Sequence, residues 1–206
     1  MKLILASGSP RRKKLLEQLN LEFKVVVSDV DETFDPTLAP AAVVEQLALR
    51  KARDVATSMS AGSCLVIGAD TVVAFRDRIL EKPGSADEAF EMLQQLSGNT
   101  HEVFTGVALV KTDEGSNITE IQTFVEDTEV EFGTLQEAEI KAYVKTGSPM
   151  DKAGSYGIQD SGGALFVKSI CGDYNTVVGF PLYSFYQHMK HFAPEVISHT
   201  LKEMAS

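Results

Sequence analysis

The stretch Ala6-Ser7-Gly8-Ser9-Pro10-Arg11-Arg12 joins an apolar segment to a small-residue turn and then to two guanidinium groups. Free amide N–H groups in such a turn, with the positive end of the helix that follows, favour an anion. Arg11 and Arg12 add planar forks that match phosphate oxygens. Basic residues in a first helical turn oppose the dipole and cost on the order of 0.3–1 kcal/mol each. A conflict of that kind between composition and local stability marks a functional site. The competing reading is an ordinary capped helix with a solvated basic first turn. It is not a Walker loop, because no G-x-x-x-x-G-K-[ST] run occurs.

Other candidates follow along the chain. Asp70, in Gly68-Ala69-Asp70-Thr71, interrupts an apolar run, and a carboxylate buried there would need a cation or metal beside it. The alternative is an exposed turn residue. Asp29, Asp31 and Glu32 form an acidic loop that is either solvated or a source of hard oxygen ligands, of which magnesium needs one or two. Lys51, flanked by Arg50 and Arg53, and Lys82, before Pro83, are further cations or plain surface lysines. In Asp151–Gln159, Gly154 and Gly157 permit close backbone approach, and the Gln159 amide offers a donor and an acceptor that could read a base edge. The bland version is a glycine-rich surface loop. His188, His191 and His199 read as surface residues and His101 as a strand residue; no metalloprotease helix, nucleophile elbow or paired-cysteine metal site occurs.

Bulk properties narrow the class. The chain has 206 residues, 44% hydrophobic and 23% charged, which is ordinary globular composition. The net charge of −10 argues against gripping a nucleic-acid backbone, yet one basic pocket in an acidic body still binds a small anion. Charge is unevenly spread: residues 1–16 carry five bases and no acid, and Asp113–Glu139 carries nine acids and no base, which reads as a solvated face. No apolar run is long enough to span a bilayer. The basic cluster follows the N-terminal apolar segment, the wrong order for a secretory signal, and Cys64 and Cys171 read as idle thiols, so a cytoplasmic setting is expected.

The elements that must position these residues alternate. Strands are predicted at Lys2–Ala6, Phe23–Val27, Cys64–Ile67, Val72–Phe75, His101–Lys111, Ile118–Phe132 and Ala164–Ile170, with a break at Gly68–Thr71. Helices are predicted at Pro10–Leu19, capped by Ser9, and at Ala41–Met59. Capping boxes Ser85/Glu88 and Thr134/Glu137 open two more, ending near Gly98 and Thr146. Pro181 opens a last strong helix, and the tail from Pro194 could be helical. The two long strands flank a turn at Asp113–Asn117 and should form a hairpin. This order gives a mixed α/β fold over residues 1–206, a single domain of two lobes sharing a cleft.

In this order, Ala6–Arg12, Gly68–Thr71, Lys82-Pro83, Leu96-Ser97-Gly98, Asp151–Gln159 and Val178-Gly179-Phe180-Pro181 resemble the Maf family of nucleotide pyrophosphatases, from Lys2 to about Phe192. The resemblance implies a fold similar to inosine triphosphate pyrophosphatases, with a central mixed sheet and flanking helices. It implies cleavage between the α and β phosphates with a divalent metal, Mg2+ or Mn2+. Ser7, Arg11 and Arg12 match the family's phosphate-loop positions; Glu32, Lys51, Asp70, Lys82 and Gln159 match its other site positions. Asp70 matches the assigned proton acceptor, with Glu32 and Asp70 as metal ligands and Lys51 and Lys82 on phosphate. Arg11, Thr71 and Gln159 resemble the dTTP/UTP-type subgroup. One departure is Asp173-Tyr174-Asn175-Thr176, where two aromatics and Asn or Ser are common, with Phe180 in place of Leu. A non-catalytic nucleotide-binding regulator of cell division and a purine-directed housecleaning pyrophosphatase remain the alternatives. A nucleoside triphosphate is the expected partner, with no nucleic acid or membrane; a homodimer is plausible on base rate alone.

Overall fold

The computed structural model describes residues 1–59 and 62–203, with the backbone alone for 199–203. The His199 side chain therefore lies outside the described residues. In chain order the elements are β1 (Lys2–Ala6), α1 (Pro10–Glu17), β2 (Lys24–Val25), α2 (Pro40–Ser58), β3 (Cys64–Phe75), β4 (Arg78–Leu80), α3 (Ala86–Leu96), β5 (Thr100–Thr112), β6 (Ile118–Phe132), α4 (Glu137–Lys145), β7 (Val167–Gly172), α5 (Tyr174–Val178), α6 (Leu182–Phe192) and α7 (Pro194–Glu203). Single 3-10 turns occupy Ser148–Asp151, Ala153–Ser155 and Gly163–Leu165. The strands form one mixed sheet in the order β2-β1-β3-β5-β6-β7, with β4 on β3. β1 runs parallel to both β2 and β3, whereas β3–β4 and β6–β7 are antiparallel. The mixed α/β class therefore holds.

The chain divides into two compact units, and the division falls within β3, β5 and β6. Unit 1 comprises Met1–Asp70, Thr105–Glu126 and Gly179–Ser206. Its core sets the inner face of α2 (Ala48, Ala52, Val55, Ala56) against Ile4, Ala6, Cys64, Val66, Ala108 and Val110. Two glycines permit that approach. A Cβ at Gly68 would lie 2.2 Å from the Ala48 carbonyl oxygen, and one at Gly106 would lie 2.5 Å from that of Val44. Real side chains do not tolerate such contacts, so α2 lies this close only because both sheet positions lack a Cβ.

Unit 2 comprises Thr71–Phe104 and Asp127–Val178. It packs Val73, Phe75 and Leu80 with Met92, Leu93 and Leu96 of α3 and with a chain of aromatic rings. Phe132 meets Tyr156 edge-on at 4.8 Å and Phe166 at 6.1 Å, and Tyr143 meets Phe166 at 5.1 Å, the geometry that the ring quadrupole favours.

Several sequence expectations need correction. β3 is continuous across Gly68–Thr71, where a break was expected. Gly68 serves helix packing rather than a turn, and the Asp70 charge is neutralised inside the strand, so neither residue ends it. Ser85 caps α3 by accepting from Glu88 N at 3.1 Å, but Glu88 reaches back to Gly84 N at 2.7 Å, one residue beyond the expected box. α4 starts two residues late: its box is Gln136 N donating to Glu139 Oε2 at 2.7 Å, not Thr134 with Glu137. The strand expected from Ala164 begins at Val167, because the first residues form a 3-10 turn. β2 is two residues long, and β4 and α5 lacked any periodic signal at their length. The acidic stretch is more than a solvated face: Glu120 pairs with Lys111 and Glu131 with Lys168, bases that lie outside it. The helices from Pro194 and over 182–192 form as expected.

Candidate active site

Unit 1 gathers six of the nominated residues, Ser7, Arg11, Arg12, Glu32, Lys51 and Asp70. The turn between β1 and α1 is built from its own serines. Ser9 caps α1, its hydroxyl accepting from Arg12 N at 3.4 Å. The buried Ser7 hydroxyl accepts from Ser9 N at 3.2 Å and from Arg12 Nη1 at 3.3 Å. Arg12 also donates from Nε to the Gly179 carbonyl at 2.9 Å, ahead of α6. The guanidinium thus folds back over the turn instead of extending into solvent. Burial lowers its pKa, the Asp70 charge raises it, Arg11 lowers it and Glu32 raises it. These influences place Arg12 within electrostatic reach of both acids and of its basic neighbour.

Even-numbered residues of β3 face α2, as Cys64 and Val66 in the unit 1 core demonstrate. Asp70 continues that face and meets Lys51 of α2: Lys51 Nζ lies 2.6 Å from Asp70 Oδ1, and both are buried. The same Nζ lies 2.6 Å from Glu32 Oε1. Asp70 is therefore a buried strand carboxylate with a cation beside it, not an exposed turn residue.

Glu32 arrives from a loop that α2 holds at two points. Ser28 Oγ donates to Asp54 Oδ2 at 2.8 Å. Arg50 Nη1 donates to the carbonyls of Asp31 and Thr33 at 2.7 and 2.9 Å. Arg50 and Asp54 bracket Lys51 on the helix, so they fix the loop where Glu32 reaches the ammonium. Sequence reasoning overlooked both positioning roles, although residues 50 and 54, four apart, share a helix face. The other loop acids do not join Lys51. The Asp31 carboxylate accepts from the Thr33 hydroxyl and amide, which hold its pKa below the ordinary carboxylate range. Asp29 is exposed, its amide donating to Asp54.

Among the described residues, no group of three or more His, Cys, Asp or Glu side chains could hold a metal. A catalytic magnesium keeps several waters and takes one or two carboxylates plus substrate phosphates. Glu32 and Asp70 are a hard-oxygen pair already converging on one positive charge, so the donor set fits such an ion.

Unit 2 holds the remaining nominated residues. Thr71 follows Asp70 on β3, and strand alternation turns it to the opposite face. Lys82 is exposed between β4 and α3. The Glu81 carbonyl, one residue before it, accepts from Gly154 N at 3.3 Å. Gln159 is exposed at the end of a run, Gly154–Ile158, that is wholly buried. Asp160 anchors this run. Its Oδ2 accepts from Ser148 Oγ at 2.5 Å and from Tyr143 OH at 3.3 Å, and it pairs with Lys152 Nζ at 3.1 Å. Tyr143 OH in turn accepts from Gly157 N at 3.2 Å. The residue after Gln159 was the available signal for this anchor.

His101 is buried, with Nε2 2.8 Å from Tyr156 OH, and burial lowers its pKa to about 4. His188 is half-buried rather than superficial: it stacks on Phe124 at 4.0 Å, with Nδ1 2.9 Å from Gln122 Nε2. His191 is exposed. Both cysteines are free. At the departing segment, the Asp173 carboxylate accepts from the amides of Asn175 and Thr176 and opens α5, while Phe180 is fully buried beside Phe185. No helix among the described residues is long and apolar enough to cross a membrane.

Several known proteins are similar to this chain. A protein of Bacillus cereus strain G9842 named dTTP/UTP pyrophosphatase is 50% identical over 95% of this chain and 97% of its own. One of the same name from Bacillus cytotoxicus is 52% identical over 93% and 95%. A solved dITP/XTP pyrophosphatase from Mycobacterium abscessus aligns at 18% identity with a TM-score of 0.40, over 66% of this chain and 76% of that one. The family model described as Maf-like protein matches residues 2–192, and the chain belongs to the Maf family.

Proposed function

We propose that this protein hydrolyses nucleoside triphosphates between the α and β phosphates, favouring dTTP and UTP and releasing the monophosphate and pyrophosphate. Two relatives of that name, at 50% and 52% identity, support the substrate class. The observation that carries the reading is Lys51 Nζ at 2.6 Å from both Asp70 and Glu32, in the unit that also holds the Ser7–Arg12 turn.

In this reading the amides of the Ser7–Ser9 turn and the forks of Arg11 and Arg12 bind phosphate oxygens. Lys51 and Lys82 neutralise further charge. Asp70 orients a water for attack on the α-phosphorus and accepts its proton. The bond from that phosphorus to the α–β bridging oxygen breaks, and pyrophosphate carries the bond's electron pair away. Glu32 and Asp70 would hold Mg2+ or Mn2+, which when bound supplies positive charge against phosphate oxygens. Most of the acceleration comes from positioning and from fixed charge in a desolvated setting. Arg11, Thr71 and Gln159 set base choice, the Gln159 amide accepting from the uracil N3–H and donating to a ring carbonyl.

A panel of UTP, dTTP, ITP and ATP with magnesium, with product identification, tests this. The expected result is pyrophosphate with UMP or dTMP, at a higher kcat/KM than for ITP or ATP. Orthophosphate alone from UTP, preference for ITP, or binding without turnover would each overturn the reading.

A further inference from the structure

Lys51 has a property that phosphate binding does not require. A lysine waiting for a phosphate would extend its ammonium toward open space. Here the ammonium is buried and lies between two carboxylates, 2.6 Å from each. Those acids come from separate segments, the loop before α2 and strand β3, and nothing local in the sequence joins them. Side by side without a cation, they would repel and Asp70 would be a buried uncompensated charge. We propose that Lys51 is a tethered counter-ion occupying the charge position of the divalent metal, so that metal binds weakly until nucleotide phosphate draws the ammonium away. The inference rests on the reading of Glu32 and Asp70 as metal ligands.

The physical basis is charge competition. With the Arg12 guanidinium in reach of both carboxylates in either case, withdrawal of the Lys51 ammonium leaves the pair more negative by about one unit charge toward an incoming cation. Removing Lys51 deepens the attraction for a divalent ion, and nucleotide binding does the same by offering the ammonium another anionic partner. Metal and nucleotide affinities are then coupled, each raising the other by the same factor. Arg12 is anchored by Ser7 and Gly179 and remains a fixed positive charge within reach of both acids. Glu32 is the more accessible partner, with half its side chain exposed, 51%, against 12% for Asp70. An ion from solvent therefore meets the pair first at Glu32.

The test is Mn2+ binding to the full-length, nucleotide-free protein, followed by electron paramagnetic resonance. Lys51→Met is expected to bind Mn2+ at least about tenfold more tightly than wild type. The double variant Lys51→Met with Glu32→Gln should lose that gain. Wild type should tighten similarly when a non-hydrolysable UTP analogue is added. If Lys51→Met fails to fold without metal, Lys51→Gln provides the same comparison. Mn2+ affinity unchanged or weakened in the folded lysine variants would overturn the proposal. No turnover enters this measurement, so absent pyrophosphate release would count against the proposed reaction alone.

Discussion

Lys51 and Lys152 are both buried lysines beside two carboxylates, one in each unit, and they differ in how their surroundings are completed. Every partner of Lys152 comes from a short span. It donates to the Ser148 carbonyl at 2.6 Å, to Asp151 Oδ1 at 2.6 Å and to Ser148 Oγ at 3.3 Å, and pairs with Asp160 at 3.1 Å. Neutral and charged acceptors together satisfy its N–H groups, as a structural network must. Lys51 is held by two carboxylates from distant segments, with no neutral acceptor among its described partners. A buried cation enclosed by its own loop fixes that loop. One suspended between two carboxylates from elsewhere is open to exchange with another cation.

Asp70→Asn probes the exchanging side and should have the largest effect. Losing the proton acceptor should lower kcat for UTP by about 100- to 10,000-fold, read as pyrophosphate release. Activity within about tenfold of wild type would remove Asp70 from that role. On the fixed side, Lys152→Met strands Asp160 and should cost about 3 kcal/mol of stability by denaturant titration. Divalent cations should not restore it, whereas they should restore stability lost in Lys51→Met. Equal rescue of both variants would erase the distinction between the lysines.

Unit 2 carries a further fixed proton state. The His101 ring accepts or donates one hydrogen bond with Tyr156, and its Nδ1 is buried without a partner among the described residues. Folded His101 protonates at about 4, against 6.5 for the ordinary group. Burial lowers the folded pKa, so the unfolded chain takes up the proton first as pH falls. Stability is then full above about 6.5 and is lost progressively down to about 4, by about 3 kcal/mol. Denaturant melts across that window should show this slope, and His101→Phe should flatten it. A slope unchanged in the variant would assign the acid sensitivity elsewhere.

The contrast between the two lysines also explains what the sequence could reveal. The Ser7–Arg12 turn was legible because its parts are contiguous: a small-residue turn, a capping serine, a proline at the first helical position and two guanidinium groups. The long strands β5 and β6 and helix α2 declared themselves by length and periodicity. The need of Asp70 for a cation followed from its apolar neighbours, but its identity did not, because Lys51 lies 19 residues away. Arg50 and Asp54 could not be told from solvent-facing charges, since their partners are loop carbonyls and a hydroxyl. The false break at Gly68 came from treating glycine as a turn signal, when the demand for it lay in the approach of α2. Short elements such as β4 and α5 depend on tertiary pairing and offered no period to detect.

The central claim is that water attacks the α-phosphorus at the carboxylates around Lys51. Hydrolysis of UTP in water enriched in heavy oxygen, with mass spectrometry of both products, tests it directly. The account predicts label in the phosphate of UMP and none in pyrophosphate. Heavy oxygen in pyrophosphate, or release of labelled orthophosphate in its place, would contradict it.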